Sequence, residues 1–309
     1  MAKYILKRIL ILIPTIIGVS FIVFLLLYLS PGDAELAKAG ANAPQSAIDA
    51  IRVQMGLNDP FIVQYGRYLK GIVMGFNLGN SYITNAPVTA MILSVLPNTL
   101  KLTFLSLIVA MVFGITFGVI SAIKKNTVID NITMFVGMIG LAMPIFWTGI
   151  LLILFFSVRL RILPSSGFGT FKQMILPSLA LGFQSSAVIM RMTRSSMIDV
   201  LDSDYIRTAR AKGLREKKVI LIHTLKNAMI PIITVIGLQV GALLAGSVLT
   251  ETIFSIPGVG RLIVESIKTR DYPVVLGCVM FIAICYNVIS IVVDILYSYI
   301  DPKVKTSIK

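Results

Sequence analysis

Residues Arg191–Asn227 read RMTRSSMIDVLDSDYIRTARAKGLREKKVILIHTLKN, a polar and strongly basic stretch between two apolar runs. It carries nine basic residues (Arg191, Arg194, Arg207, Arg210, Lys212, Arg215, Lys217, Lys218 and Lys226) against four acids (Asp199, Asp202, Asp204 and Glu216). Charge at this density faces water or another protein, because hydrocarbon offers it no compensation. The spacing predicts two short helices around a glycine. Asp202 or Ser203 caps the first, which runs to about Lys212. Gly213 takes a positive φ and closes it. A second helix from about Arg215 leads into the next apolar run. Ala209 and Ala211 keep side-chain bulk low, so the stretch reads as a small knob held at a fixed angle. A plain solvated loop would explain the charge but not the ordered pattern.

The rest of the chain looks made for lipid. Of 309 residues, 56% are hydrophobic and 14% charged, and mean hydropathy is +0.89. That composition excludes a soluble globular domain and points to a polytopic membrane protein. The net charge of +14 does not mean nucleic acid, since most basic residues flank apolar spans. The expected fold is all-α with six transmembrane helices, at 9–29, 100–123, 132–156, 174–190, 228–249 and 274–296. The first run exceeds a signal-peptide core and is read as a retained span. Pro144 is expected to kink span three, with Trp147 packed between helices. Span four carries Ser178, Gly182, Gln184, Ser185 and Ser186, and should face protein or a pathway.

Between spans one and two, 30–98 has four basic and four acidic residues and helical patterns. One face holds Ile48, Ile51 and Met55. A second helix has Asp59 as N-cap and Pro60 at its first position, with Phe61, Tyr65 and Leu69 on one side. A small folded region on the membrane surface is expected there. Six spans place both termini on one side, which collects 17 basic residues against 11 on the other. The bias puts the termini and 191–227 in the cytoplasm and 30–98 outside.

Candidate pathway residues are Gln184, Ser185, Ser186, Gln239 and Asn287, with interhelical hydrogen bonding as the competing role. Asp294 is the one notable carboxylate in a span, placed for interfacial pairing or capping. The lone His223 makes no zinc site. Cys278 and Cys285 read as packing thiols, not a disulfide or a metal pair. No phosphate-binding Gly-Lys-Ser/Thr loop is present, so ATP hydrolysis is not expected of this chain. Ser-His-Asp and paired-carboxylate arrangements are also missing.

Ile206-Arg207-Thr208-Ala209-Arg210-Ala211-Lys212-Gly213 resembles the signature loop of inner-membrane permeases of ATP-binding-cassette importers, in the dipeptide, oligopeptide and nickel group. Arg207-Thr208-Ala209 stand where the wider superfamily has Glu-Ala-Ala. His223, Asn227, Ala228 and Pro231 continue the match. So do Arg8, Pro14, Gly18 and Ser30-Pro31-Gly32-Asp33, which resemble the B-type subunit of the pair. Asp59-Pro60, Pro97-Asn98-Thr99, Leu163-Pro164-Ser165-Ser166-Gly167, Pro257-Gly258-Val259-Gly260-Arg261-Leu262, Arg270-Asp271-Tyr272-Pro273 and Asp301-Pro302 extend it over nearly the whole chain.

The resemblance implies a type I importer permease in a bacterial or archaeal cytoplasmic membrane. It implies a C-type permease partner, two cytoplasmic ATPases that hold ATP and Mg, and an extracytoplasmic solute-binding protein. This chain itself would hold no cofactor or metal. The ATPase-coupling residues would be Asp204, Tyr205, Arg207, Thr208, Ala209, Arg210, Ala211, Lys212 and Gly213, within a 191–227 coupling loop. Peptide import is the favoured function, with nickel or metal-chelate import as its near alternative. A secondary transporter is the alternative of another class; it predicts internal repeats and midplane charges, and neither is evident.

Overall fold

The computed structural model describes residues 2–30, 34–40, 43–75 and 77–300. Pro31-Gly32-Asp33, Asp301-Pro302 and the side chains of Arg8 and Asp294, all read above, lie outside the described residues. Apart from one bridge between Asn80 and Pro87, the described structure is helical. Its helices are α1 (Ala2–Leu29), α2 (Ala34–Ala39), α3 (Gln45–Gln54), α4 (Phe61–Gly75), α5 (Val88–Ile123), α6 (Val128–Ala142) and α7 (Ile145–Leu152). They continue with α8 (Phe171–Leu201), α9 (Asp204–Ala211), α10 (Glu216–Lys218), α11 (Leu225–Ile253), α12 (Val259–Lys268) and α13 (Tyr272–Ile300). Five are long and apolar enough to cross a membrane, or six spans if the bent α6–α7 pair counts as one.

The helices outrun the apolar windows read from the sequence. The short span at 174–190 belongs to the 31-residue α8, which runs on through Arg191–Leu201. The span at 100–123 belongs to a helix that starts at Val88. Span three departs most. Instead of a kinked continuous helix, α6 and α7 meet at 106°. Met143 is extended, at φ −77° and ψ 124°, as the residue before a proline prefers. Pro144 then starts α7, its carbonyl accepting from Trp147 and Thr148 at 3.0 and 3.1 Å. Trp147, expected between helices, is 47% exposed. After the break α7 turns Gly149 inward against Phe254. Trp147, two residues earlier, falls on the far side of the helix.

Contacts divide the chain into two units, one of 100–256 with the chain from 288 on, the other of 2–99 with 257–287. In the first unit α8 is the axis, packed by α11, α6 and α7. It is the least apolar of the long helices, at mean hydropathy 1.3, yet 61% of its window is buried against 6–33% for the others. Small residues permit this. A Cβ on Gly182 would lie 2.6 Å from the Ser106 carbonyl, one on Gly114 2.7 Å from Ile189, and one on Gly118 2.5 Å from Thr193. The helix begins with a capping box, Thr170 and Gln173 each satisfying the other's backbone N–H.

In the second unit α4 lies on α1. Phe21, Phe24 and Tyr28 meet Phe61 and Tyr65 at centroid distances of 5.1–5.7 Å. The Tyr65 hydroxyl donates to the Ile17 carbonyl at 3.1 Å. Asp59 does not cap α4 as the sequence suggested. Its carboxylate pairs with Arg67, and Pro60 supplies the first carbonyl, to Val63 and Gln64. Buried Asp271 anchors the 81–82 segment by accepting from the Ser81 hydroxyl and the Tyr82 N–H. Asn98 donates to the Pro257 carbonyl at 2.8 Å, and the Val259 N–H donates to Thr99 Oγ1 at 2.9 Å.

Gly118→Val should destabilise the first unit by about 1–3 kcal/mol, the usual cost of overpacking. It should lower the thermal midpoint of the detergent-solubilised protein. Gly18→Ala, with nothing within 4 Å of the added carbon, should leave that midpoint unchanged or raised.

Candidate functional site

The 191–227 stretch folds as three pieces. Arg191–Leu201 completes α8, α9 follows after Asp202 and Ser203, and α10 opens the helical path into α11. Ser203 is the N-cap, at φ −76° and ψ 150°. Its hydroxyl turns back to donate to the Val200 carbonyl and makes no side-chain cap, while its backbone oxygen accepts the first-turn bonds from the Ile206 and Arg207 N–H groups. At the other end Gly213 has φ +75°. Its N–H donates to the Arg210 carbonyl at 2.9 Å, and that of Leu214 donates to the Ala209 carbonyl at 3.4 Å. This is a Schellman closure, in which the glycine spares the Cβ penalty of the left-handed region.

α9 has two faces. Ile206 and Ala209 are buried against Val219, with Val200 and Leu214 packed alongside. The other coupling candidates, Asp204, Tyr205, Arg207, Thr208, Arg210, Ala211, Lys212 and Gly213, are all exposed. Ala209 thus belongs to the anchor, and the remaining eight form the surface. Arg210 spans the glycine turn to hold Glu216 through two hydrogen bonds of 2.7 and 3.2 Å. The hydrogen bond to the carboxylate raises the Arg210 pKa. Past α10 the helix widens to a π stretch, Val219–Thr224, where the Thr224 hydroxyl donates to the Val219 carbonyl at 3.1 Å. Half-buried His223 lies in this stretch, its Nε2 without a hydrogen-bond partner. Its carbonyl accepts from Asn227 at 2.7 Å.

Two further contacts were not foreseen from sequence. Asp130, 2% exposed, accepts Arg194 Nε and Nη2 at 2.7 Å each, the Asn126 N–H at 2.9 Å, and the Ser121 hydroxyl. Lys125 and Asp202 pair at 3.2 Å on the surface. Both join α8 to the α5–α6 turn.

Of the pathway candidates, Gln184, Ser185 and Gln239 line one cavity of about 250 Å³, walled by Leu141, Ile145, Leu181, Val188 and Ala242. Ser186 points elsewhere, donating to the Phe183 carbonyl at 2.6 Å. Asn287 belongs to the second unit and donates to the Ala283 carbonyl at 2.8 Å. A larger cavity, about 670 Å³, lies within the second unit, lined by Phe24, Tyr68, Glu35 and Arg52 among others. Among the described residues no three His, Cys, Asp or Glu side chains gather as a metal site would need. Cys278 is buried and Cys285 half-buried, both as free thiols.

Residues 114–306 match the binding-protein-dependent transport system inner membrane component family, and 1–103 match that system's membrane component N-terminal family. The dipeptide transport system permease protein DppB of Alkalihalophilus pseudofirmus is 41% identical, over 99% of this chain and 100% of its own. The glutathione transport system permease protein GsiC of Escherichia coli O6:H1 is 43% identical, over 99% of both. A structure of the MetNI methionine ABC transporter in an inward-facing conformation superposes with TM-score 0.58 and 16% identity, covering 68% of this chain and 96% of that one. At that identity it supports the fold alone.

Removing the anchor of α9 should loosen it without unfolding the chain. Ile206→Ala deletes a fully buried side chain and should speed amide hydrogen exchange in α9 at least tenfold. Thr208→Ala, on the exposed face, should leave exchange within twofold.

Proposed function

We propose, from the premise that the chain belongs to the binding-protein-dependent transport system inner membrane component family, that it is the B-type, pore-forming permease of an ATP-driven importer of di- and oligopeptides. Full-length similarity to dipeptide and glutathione permeases supports the peptide class. The partners are a related C-type permease, two cytoplasmic ATPases and an extracytoplasmic binding protein. The termini and 191–227 are cytoplasmic, 30–98 is extracytoplasmic, and 99–296 is the transmembrane core. The chain itself is non-catalytic, with ATP and Mg held by the ATPases.

The geometry of α9 is the observation that carries this reading. A short helix has two buried residues, Ile206 and Ala209. It is fastened by a Schellman turn at Gly213 and displays Asp204, Tyr205, Arg207, Thr208, Arg210, Ala211 and Lys212 outward. It joins two long apolar helices through connections of only a few residues. A body docking on that surface pushes α8 and α11 directly. ATPase closure then biases a two-state membrane element between outward and inward opening. Moving such an equilibrium from 1:99 to 99:1 takes roughly 5.5 kcal/mol of differential binding, which a rigid knob transmits and a slack loop dissipates.

Gln184, Ser185 and Gln239 suit the cargo. Two amides and a hydroxyl in an aliphatic setting match the donors and acceptors of peptide groups. They would leave a bare, desolvated dication uncompensated, which favours peptide over the free nickel ion.

Purification from native membranes should recover a second permease and ATPase subunits with this chain. Gly213→Val adds a β-branched side chain at φ +75°. It should cut uptake at least tenfold while ATP hydrolysis continues without stimulation by the loaded binding protein. Unchanged stimulated hydrolysis and uptake would contradict the coupling role. Gln184→Leu with Gln239→Leu should lower peptide uptake several-fold and leave that stimulation intact.

A further inference from the structure

We propose that the Asp130–Arg194 pair is the joint that makes α5 and α6 follow the coupling loop. It is a positioning pair for transport, resting on the reading of α9 given above. Both oxygens of Asp130 are saturated. Oδ1 accepts Ser121 Oγ–H and Arg194 Nε–H, and Oδ2 accepts the Asn126 N–H and Arg194 Nη2–H. One carboxylate therefore collects the end of α5, the α5–α6 turn, the first turn of α6 and α8. The side chains are 3% and 26% exposed. The turn is shaped to reach it, with Asn126 at φ +63°, and Thr127 Oγ1 donates to the Lys124 carbonyl at 2.6 Å.

Burial decides which of the two links carries load. Lys125–Asp202 is 45% and 67% exposed, and water readily replaces either partner in such a pair. Separating Asp130 from Arg194 instead strands a buried charge, so the pair resists opening. Its bidentate form also fixes orientation, which a single contact leaves free. Arg194 stands two turns before α8 ends at Leu201, roughly 10 Å along the axis. On the α5 side, Gly114 and Gly118 are pressed against Ile189 and Thr193. The close α5–α8 contact thus runs to the residue next to Arg194. A displacement of α9 enters α8 within two turns of the joint. Through it the displacement passes to α5 and α6, while Val219 passes it separately to the helix leading into α11.

The test uses the assembled transporter in liposomes with its binding protein, reading uptake per ATP hydrolysed. Asp130→Asn replaces one acceptor with an NH₂ group that faces a donor on either side. It should lower uptake per ATP at least tenfold while the subunits copurify in unchanged ratio and nucleotide affinity is kept. Arg194→Lys keeps the charge but loses the fork, and Ser121→Ala removes one arm. Each should lower uptake per ATP two- to fivefold, and these two decide the matter if Asp130→Asn does not assemble. Uptake per ATP within twofold of the native value in the variants that assemble would overturn the proposal. Failure of all three to assemble would overturn it too, assigning the pair to folding. Tyr205→Ala, on the exposed face of α9, separates the two levels. If it weakens ATPase binding while the Asp130 and Arg194 variants stay coupled, only the joint fails. If it leaves ATPase binding unchanged, the docking surface fails and the joint with it.

Discussion

The burial of α8 by its neighbours is the constraint on which the first unit depends. Lipid is as apolar as leucine, so apolar side chains alone give two helices in a bilayer no reason to prefer each other. What drives α8 inward is the opposite property. Ser178, Gly182, Ser185, Ser186 and Ala187 are poor company for lipid and allow close backbone approach. The surrounding helices supply the apolar outer surface, with Phe104, Val112, Phe135 and Leu154 all more than half exposed. The least apolar of the long helices can therefore sit at the centre of the first unit.

Function follows from what that helix carries along its length. Gln184 and Ser185 open onto a small, mainly aliphatic cavity. Three turns later Arg194 closes on Asp130, and beyond Leu201 the chain turns through Ser203 into α9. The groups proposed to face cargo, the proposed joint and the proposed docking knob are thus mounted on one rigid rod or within a few residues of its end. An α-helix of 31 residues transmits a push along its axis with little loss, because each turn is hydrogen-bonded to the next. The glycine turn at 213 and the π stretch at Val219–Thr224 then return the chain to α11.

Much of this was legible in the residues. The apolar runs and the glycine at 213 with a helix on either side follow from hydropathy and backbone conformational preference, whereas the meeting of Gln184 and Ser185 with Gln239 in one cavity does not, because they stand on two different helices. The length of α8 did not, since hydropathy reports contact with lipid and not helicity. Arg191, Arg194, Ser195 and Ser196 read as loop although the backbone hydrogen bonds continue through them. Ser186 is set aside only once the cavity is known, because Gln184 is equally far around the helix from Ser185. Ser186 lies about 100° around the helix from Ser185, away from the face shared by Leu181, Gln184, Ser185 and Val188. At Pro144 a kink and a break have the same local signature, and the packing of Gly149 on Phe254 decides between them. Asp130 and Arg194 are 64 residues apart, and nothing in one chain's order announces that they meet. Of all these, Arg194 shows the limit best, because it was counted among solvated charges and is half-buried on the carboxylate of buried Asp130.

The central claim is that the outward face of α9 seats in a cytoplasmic ATPase. Single cysteines placed on a background lacking Cys278 and Cys285, followed by cross-linking in native membranes, test it most directly. Tyr205→Cys, Arg207→Cys and Lys212→Cys should each cross-link to an ATPase subunit, with yields that change when ATP is bound. Ile206→Cys, facing Val219, should not. An equal yield from Ile206→Cys, or no ATPase adduct from any of the three exposed positions, would contradict the account.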